Sequence, residues 1–64
     1  MFGKVDSFDS KKRYGFILGD DGRRYFVHSG SINIPSGNLD RGYMVSFTPT
    51  LSSRGYAAAD VNLL

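Results

Sequence analysis

The sequence predicts a small all-β barrel, and two observations indicate it: the composition and the spacing of the turn residues. The chain has 64 residues, with no Cys and no Glu, and its six acidic residues are all Asp. Asp favours turns, and little else in this composition favours a helix. Short segments of strand-forming residues alternate with turn residues at regular intervals, which is the pattern of a small barrel. A chain of this length has room for one domain with one thin core.

Five strands are predicted, separated by turns and one long loop. The strands cover residues 2–9, 13–18, 23–28, 43–49 and 56–63. The connections are a polar turn at 9–12, a hairpin turn at 19–22, a loop at 33–40 and a turn at 52–55. Gly3 permits close packing or a bend in the first strand. Pro49 predicts an edge or a strand end, because proline has no amide donor.

The second and third strands carry rings in the same phase. Tyr14 and Phe16 are two residues apart in one strand, and Phe26 and His28 are two residues apart in the other. Residues two apart in a strand point to the same face, so each pair shares a face. If the strands are antiparallel neighbours with matching faces, the four rings lie side by side, next to the cationic run at residues 11–13.

A surface of rings bordered by cations suits single-stranded nucleic acid, because bases stack on rings while cations meet phosphates. The alternative is that these rings form an ordinary core. Ile17, Val27 and Val5 already fill the opposite face, however, and a barrel this small does not bury both faces of its strands. The sequence therefore predicts that the rings face solvent and bind single-stranded RNA or DNA.

The chain also resembles the bacterial cold-shock proteins, from Gly3 to about Val61. The matching segments are Gly3-Lys4-Val5, Phe8-Asp9, Lys12-Arg13-Tyr14-Gly15-Phe16-Ile17, Asp21-Gly22, Phe26-Val27-His28, Ile32, Leu39, Gly42, Val45-Ser46-Phe47, Arg54-Gly55 and Ala58-Ala59-Asp60-Val61. Residues 14–17 resemble the first ribonucleoprotein motif of that family and residues 25–28 the second, at the family's spacing. The resemblance implies a single domain over residues 1–64, a five-stranded antiparallel Greek-key barrel of the oligonucleotide-binding type, with one short helical turn at 29–32.

Ten residues are predicted to bind nucleic acid, from the strand pattern together with the resemblance. They are Lys4, Phe8, Lys12, Arg13, Tyr14, Phe16, Phe26, His28, Arg54 and Tyr56. The rings would stack on bases, with His28 stacking or contacting a base edge. Lys4, Lys12 and Arg54 would meet phosphates or bases, unless they are merely solvated charges. Arg13 can both stack on a base and meet a phosphate. For Phe8 there are two alternatives: the side chain lies either at the edge of the ring surface or in the core.

At several positions the chain departs from the family's pattern. Ser7 stands where most members have a tryptophan, and Ser29 stands where a ring is common. The long loop of the family usually supplies another ring, and the nearest apolar residue to that position in this chain is Ile34. Asp6 stands where lysine is frequent and Arg13 where glycine is frequent. Each base–ring stack contributes about 1–3 kcal/mol, so the loss of three predicts weaker binding than in relatives with every ring.

The composition argues against an enzyme. One His, no Cys and no Glu leave no acid–base pair at recognisable spacing, and residues 19–22 lack the lysine and following helix of a phosphate-binding loop. We therefore expect no cofactor, no metal and no small-molecule substrate. The alternative function is protein interaction or homodimerisation by a diverged barrel with weak or no nucleic-acid binding. In either case we expect a monomer or a weak or strand-exchanged homodimer. Six of the eight Lys and Arg fall within residues 4–24, around the rings, which favours nucleic acid over a protein partner.

The sequence also predicts where the protein resides. No segment approaches the 18 or more apolar residues of a membrane span, and residues 1–20 contain no apolar run of signal-peptide length. Without Cys the chain cannot form the disulfide scaffold that is common in small secreted proteins. A cytoplasmic protein without a membrane partner is expected.

Overall fold

Five β-strands close into a barrel in the computed structural model, which describes residues 1–53 and 55–64. The strands are β1 (Phe2–Asp9), β2 (Tyr14–Gly19), β3 (Arg24–His28), β4 (Met44–Ser52) and β5 (Gly55–Leu63), and a 3-10 turn (Ser29–Ser31) follows β3. Around the barrel the strands follow the order β1-β2-β3-β5-β4. The predicted five-stranded barrel is confirmed, and its short helical turn lies where the resemblance implies it.

The seams of the barrel differ in length and direction. β1 pairs antiparallel with β2 and β4, β2 with β3, and β4 with β5. β3 and β5 run parallel and meet at one pair, Phe26 with Ala57. β4 pairs with β1 only through Met44–Ser46 in the described register, and continues along β5 as far as Ser52. Pro49 lies in that continuation, which agrees with the predicted edge position but not with a strand end.

The core fills the inside of the barrel from alternate strand positions. Its buried residues are Val5, Ile17, Tyr25, Val27, Ile32, Leu39, Val45, Phe47, Ala58 and Val61. Ile17 and Val27 are fully buried and Val5 is 1% exposed, which confirms that the face opposite the rings is packed. Burying an aliphatic side chain of this size contributes about 1.5–3 kcal/mol, so the inner face of the barrel accounts for much of its stability.

Gly15 allows β1 and β2 to approach closely. A Cβ atom at this position would overlap the Ser7 carbonyl oxygen and would lie 2.6 Å from Phe8 Cα. Both of these are backbone atoms, which cannot move aside as a flexible side chain can. A glycine between Tyr14 and Phe16 therefore lets the two ring-bearing residues sit on a tightly packed sheet.

β1 contains a β-bulge that the sequence did not predict. Val5 pairs with Ile17 and Ser7 pairs with Phe16, so Asp6 is the extra residue on β1. Lys4, which pairs with Leu18, and Ser7 consequently lie on the same outer face as Phe16. The bulge changes which β1 side chains border the rings.

Several strand ends differ from the prediction by one to three residues. β2 begins at Tyr14 rather than at residue 13, because Arg13 has a φ of 64° and belongs to the preceding turn. In that turn Asp9 Oδ1 accepts hydrogen bonds from the amides of Lys11 and Lys12 at 2.9 and 3.1 Å. β3 begins one residue later than predicted, β4 covers residues 44–52 and β5 begins at Gly55. Arg54 lies outside the described residues.

Candidate nucleic-acid interface

Four rings form one surface on the outer face of β2 and β3. The register places Tyr14 opposite His28 and Phe16 opposite Phe26. The Tyr14 and Phe26 rings stack with centroids 5.5 Å apart and planes inclined by 29°. The Phe16 and Phe26 rings meet edge to face, 6.0 Å apart at 76°. This side-by-side arrangement, which the strand phase predicted, is called the ring platform below.

The ring platform lies on the solvent side of the sheet, with Phe26 and His28 exposed and Tyr14 and Phe16 half-buried. Phe26 exposes 39% of its surface and His28 is exposed, whereas Tyr25 and Val27, on the opposite face of β3, are buried. His28 Nδ1 accepts a hydrogen bond from the Gly30 amide at 3.1 Å. In a neutral imidazole with Nδ1 as acceptor, Nε2 carries the proton, so His28 can offer an N–H donor to a base or a phosphate.

An arginine outside the predicted site lies against the platform. The Arg24 guanidinium carbon is 4.6 Å from the centroid of Phe16, and Arg24 Nη2 is 3.1 Å from Asp6 Oδ2. Arg24 precedes Phe26 by two residues in β3, so the same period of two that selected the rings places it on their face. That signal could have identified it from sequence.

A groove of about 400 Å³ extends the platform toward the start of β5. Phe16, Phe26 and Tyr56 contribute its rings, and Ser52, Gly55 and Ala57 complete the lining. Tyr56 is 39% exposed, and the Arg23 guanidinium carbon lies 4.8 Å from its ring centroid. The structure therefore brings Tyr56 into the same groove as two platform rings. The contact with Arg23 was not predicted.

The other predicted residues occupy different surroundings. Lys4 is exposed on the outer face of β1, and Lys12 is exposed in the turn before β2. Phe8 pairs with Gly15 and packs partly buried against the core, which favours the core for that residue. Ile34 is also half-buried against the core. The predicted contact from Arg54 lies outside the described residues.

A hydrogen-bonded cluster stabilises the end of the barrel next to the groove. Tyr25 Oη donates a 2.6 Å hydrogen bond to Asp21 Oδ2, and the Arg23 amide donates to Asp21 Oδ1 at 3.0 Å. These bonds favour the carboxylate and lower the pKa of Asp21. The same bond to Asp21, assisted by burial, raises the pKa of Tyr25. Asp21 thus anchors the hairpin between β2 and β3.

Residues 1–64 match a family model described as the 'Cold-shock' DNA-binding domain. The chain belongs to the cold-shock domain family. This confirms the resemblance carried by the two motifs. Proteins of this family are nucleic-acid-binding proteins rather than enzymes. Within residues 1–53 and 55–64, the structure contains no helix with the length and hydropathy of a membrane span.

Two relatives that are similar over nearly their whole length support the assignment. The cold-shock domain is 42% identical to a cold shock-like protein of Thermotoga maritima, covering 100% of this chain and 98% of that protein. It is 42% identical to cold shock protein 1 of Lactiplantibacillus plantarum, covering 92% of this chain and 91% of that protein. A solved structure, drosophila Unr CSD456, matches 98% of this chain and 26% of its own length, with a TM-score of 0.76. At 21% identity that likeness shows the fold alone.

Two of this domain's departures from the family pattern are linked. Arg13 adopts a left-handed φ of 64°, a conformation that glycine adopts without strain and that costs other residues about 1–2 kcal/mol. Arg13 Nε donates to Ser29 Oγ at 3.2 Å, and the Ser29 amide donates to the Arg13 carbonyl at 2.9 Å. Ser29 is buried, so its hydroxyl tethers Arg13 instead of extending the ring platform.

Proposed function

We propose that this cold-shock domain binds single-stranded RNA or DNA by stacking unpaired bases on the ring platform. The observation that supports this most directly is the register, which sets Tyr14 opposite His28 and Phe16 opposite Phe26 on a solvent-facing sheet. Flat apolar rings exposed on a surface of this size are typical of base-stacking proteins. In a duplex the bases are already stacked on one another, so the platform selects unpaired strands.

Cations around the platform would hold the phosphates. Lys4 borders it from β1, Lys12 and Arg13 lie in the turn leading into β2, and Arg24 lies beside Phe16. Arg54 joins this set on the strength of the family resemblance. Each phosphate contact releases counterions, so the affinity should fall as salt is added.

Binding of this kind would make the protein a nucleic-acid chaperone. A domain that captures unpaired strands shifts the equilibrium away from hairpins and duplexes, without ATP and without a catalytic group. Such a shift changes whether a transcript can be read or translated. We therefore propose that the protein regulates transcription or translation in the cytoplasm. It would act as a monomer or as a weak or strand-exchanged homodimer.

The affinity should be lower than that of relatives with every ring. Ser7 pairs with Phe16 at the edge of the platform and offers only a hydroxyl. Ser29 is buried and Ile34 packs against the core, so neither contributes a stacking surface. Each missing stack removes about 1–3 kcal/mol, which predicts micromolar rather than nanomolar dissociation constants.

A titration with matched oligonucleotides tests this function. The protein is titrated with an unstructured single strand and with the duplex of the same sequence, each at low and at high salt, and its mass in solution is followed by light scattering. A strong preference for the single strand supports base stacking. An affinity for the single strand that falls at high salt supports the phosphate contacts. Equal affinity for strand and duplex would refute it. No binding to either, together with a dimer in solution, would favour the protein-interaction alternative.

A further inference from the structure

The two phenylalanines that face each other on the platform are not equally accessible. Phe16 and Phe26 are directly paired on β2 and β3, yet Phe26 is exposed and Phe16 is only half-exposed. Arg24 contributes to this difference, because its guanidinium carbon lies 4.6 Å from the centroid of the Phe16 ring. A base cannot stack on the same region of Phe16 while the guanidinium lies there.

The position of Arg24 is stabilised by a carboxylate. Arg24 Nη2 lies 3.1 Å from Asp6 Oδ2, and the side chains of Arg24 and Asp6 are 58% and 43% exposed. Asp6 is the extra residue of the β1 bulge, between Val5, which pairs with Ile17, and Ser7, which pairs with Phe16. The bulge therefore places an acid beside Phe16, and the acid holds the guanidinium there.

We propose that Asp6 and Arg24 form a latch over Phe16, which a single strand opens when a phosphate replaces Asp6 as the partner of Arg24. This inference rests on the proposed function and adds a regulatory contact to the same surface. A phosphate matches the donor geometry of a guanidinium at least as well as a carboxylate does. Exchange of one oxygen ligand for another thus uncovers the ring and attaches the strand's backbone at the same time.

The latch is weak enough to open. Ion pairs between exposed side chains contribute little, and a guanidinium over an exposed ring adds a modest attraction. Opening the latch costs free energy, so the latch lowers the affinity without abolishing it. Because Asp6 already neutralises Arg24 in the free protein, the new contact between Arg24 and a phosphate adds little to the salt dependence of binding.

Four variants separate the latch from a general effect of charge. They are Asp6→Asn, Arg24→Ala, the double variant, and Asp20→Asn, which removes the same charge from the turn between β2 and β3. All are titrated with a short oligothymidine at several salt concentrations. We expect Asp6→Asn to bind about two- to fivefold more tightly than the wild type. The magnitude of its log–log salt slope should rise by about 0.7. In the Arg24→Ala background the Asp6→Asn gain should disappear.

Other outcomes overturn the latch. Unchanged or weaker binding by Asp6→Asn would mean that the ion pair positions Arg24 for the ligand instead of closing Phe16. A gain that persists without Arg24, or that Asp20→Asn reproduces, would reduce the effect to net charge. If the wild type binds and Phe26→Ala weakens it, the proposed function stands whichever way the Asp6 variants behave. If none of the proteins binds, both proposals fail.

The chemical shifts of the Arg24 side chain report on the latch without any ligand. A guanidinium stacked over Phe16 places the Arg24 methylenes near the ring, where the ring current shifts their proton resonances upfield. The shift should diminish in Asp6→Asn and on addition of oligothymidine to the wild type. Resonances at ordinary positions in the free wild-type protein would contradict the latch.

Discussion

The rings of Tyr14 and Phe26 stack on each other, with centroids 5.5 Å apart and planes 29° from parallel, although they belong to different strands. Tyr14 pairs with His28 and Phe26 with Phe16, so the stacked rings are diagonal neighbours across the β2–β3 seam. Their mutual contact restricts both side chains before any ligand arrives. A binding surface ordered in advance loses less entropy when it binds, which favours base stacking on these two rings.

Lys12 gives a prediction about salt. Its side chain is exposed in the turn before β2, and its amide is already bound to Asp9. Lys12→Ala should lower the magnitude of the log–log salt slope by about 0.7, the value for one phosphate contact on a single strand, with little change in base preference. Lys12→Arg keeps the charge and should keep the slope. If the alanine variant retains the wild-type slope, Lys12 is a solvated charge.

Arg13 gives a prediction about backbone strain. Its φ of 64° disfavours any residue with a Cβ atom. Arg13→Gly and Arg13→Ala both lose the hydrogen bond to Ser29, but only the glycine variant loses the strain. The glycine variant should therefore be more stable than the alanine variant by about 1–2 kcal/mol in urea unfolding. Equal stabilities would show that this turn does not need a left-handed residue.

Gly15 gives a prediction about packing. Gly15→Ala introduces a methyl group that overlaps the backbone of β1, so the variant should lose about 3 kcal/mol of stability or more. Gly30→Ala is the matched control, since the nearest atom to its added Cβ is His28 Nδ1 at 3.4 Å. Thermal melts of both variants make the comparison. A Gly15→Ala protein as stable as the control would contradict the close approach of β1 and β2.

Asp21 gives a prediction about pH. Its hydrogen bond from Tyr25 holds its pKa below the ordinary value of 3.8. A carboxyl whose pKa is lower in the folded state contributes stability above its unfolded pKa, and that contribution is lost as pH falls through the folded pKa. As the pH falls from above 3.8 through the lowered pKa of Asp21, the free energy of unfolding should decrease less for Asp21→Asn than for the wild type. Urea midpoints measured at a series of pH values would show parallel curves if the carboxylate contributes nothing.

The phase of the rings could be predicted from sequence because it depends only on the period of two in a strand. Tyr14 and Phe16 share a face in any regular strand. Ile17, the residue after Phe16, points to the opposite face and is buried, as expected. Gly15 lies between Tyr14 and Phe16, and its close approach to the β1 backbone leaves no room for a side chain. The five-stranded barrel could be predicted from the short strands separated by turn residues, together with the family resemblance.

The contacts made across strands could not be predicted in the same way. The position of Asp6 depends on a bulge, which arises from pairing with β2 and leaves no periodic signal in β1. The contact between Arg23 and Tyr56 depends on where β5 lies beside β3, and these two strands meet at a single pair. The face that Phe8 presents depends on the same bulge, because a shift of one residue reverses the face of every residue that follows.

Phe26→Ala and Phe47→Ala, each assayed for single-strand binding and for thermal stability, test the central claim most directly. The two residues carry the same ring, but Phe26 is 39% exposed on the platform and Phe47 is 4% exposed in the core. Phe47→Ala should lose about 3–5 kcal/mol of stability. Phe26→Ala should stay folded and lose about 1–3 kcal/mol of binding free energy. A folded Phe26→Ala protein with wild-type affinity, or one that unfolds like Phe47→Ala, would contradict base stacking on the ring platform.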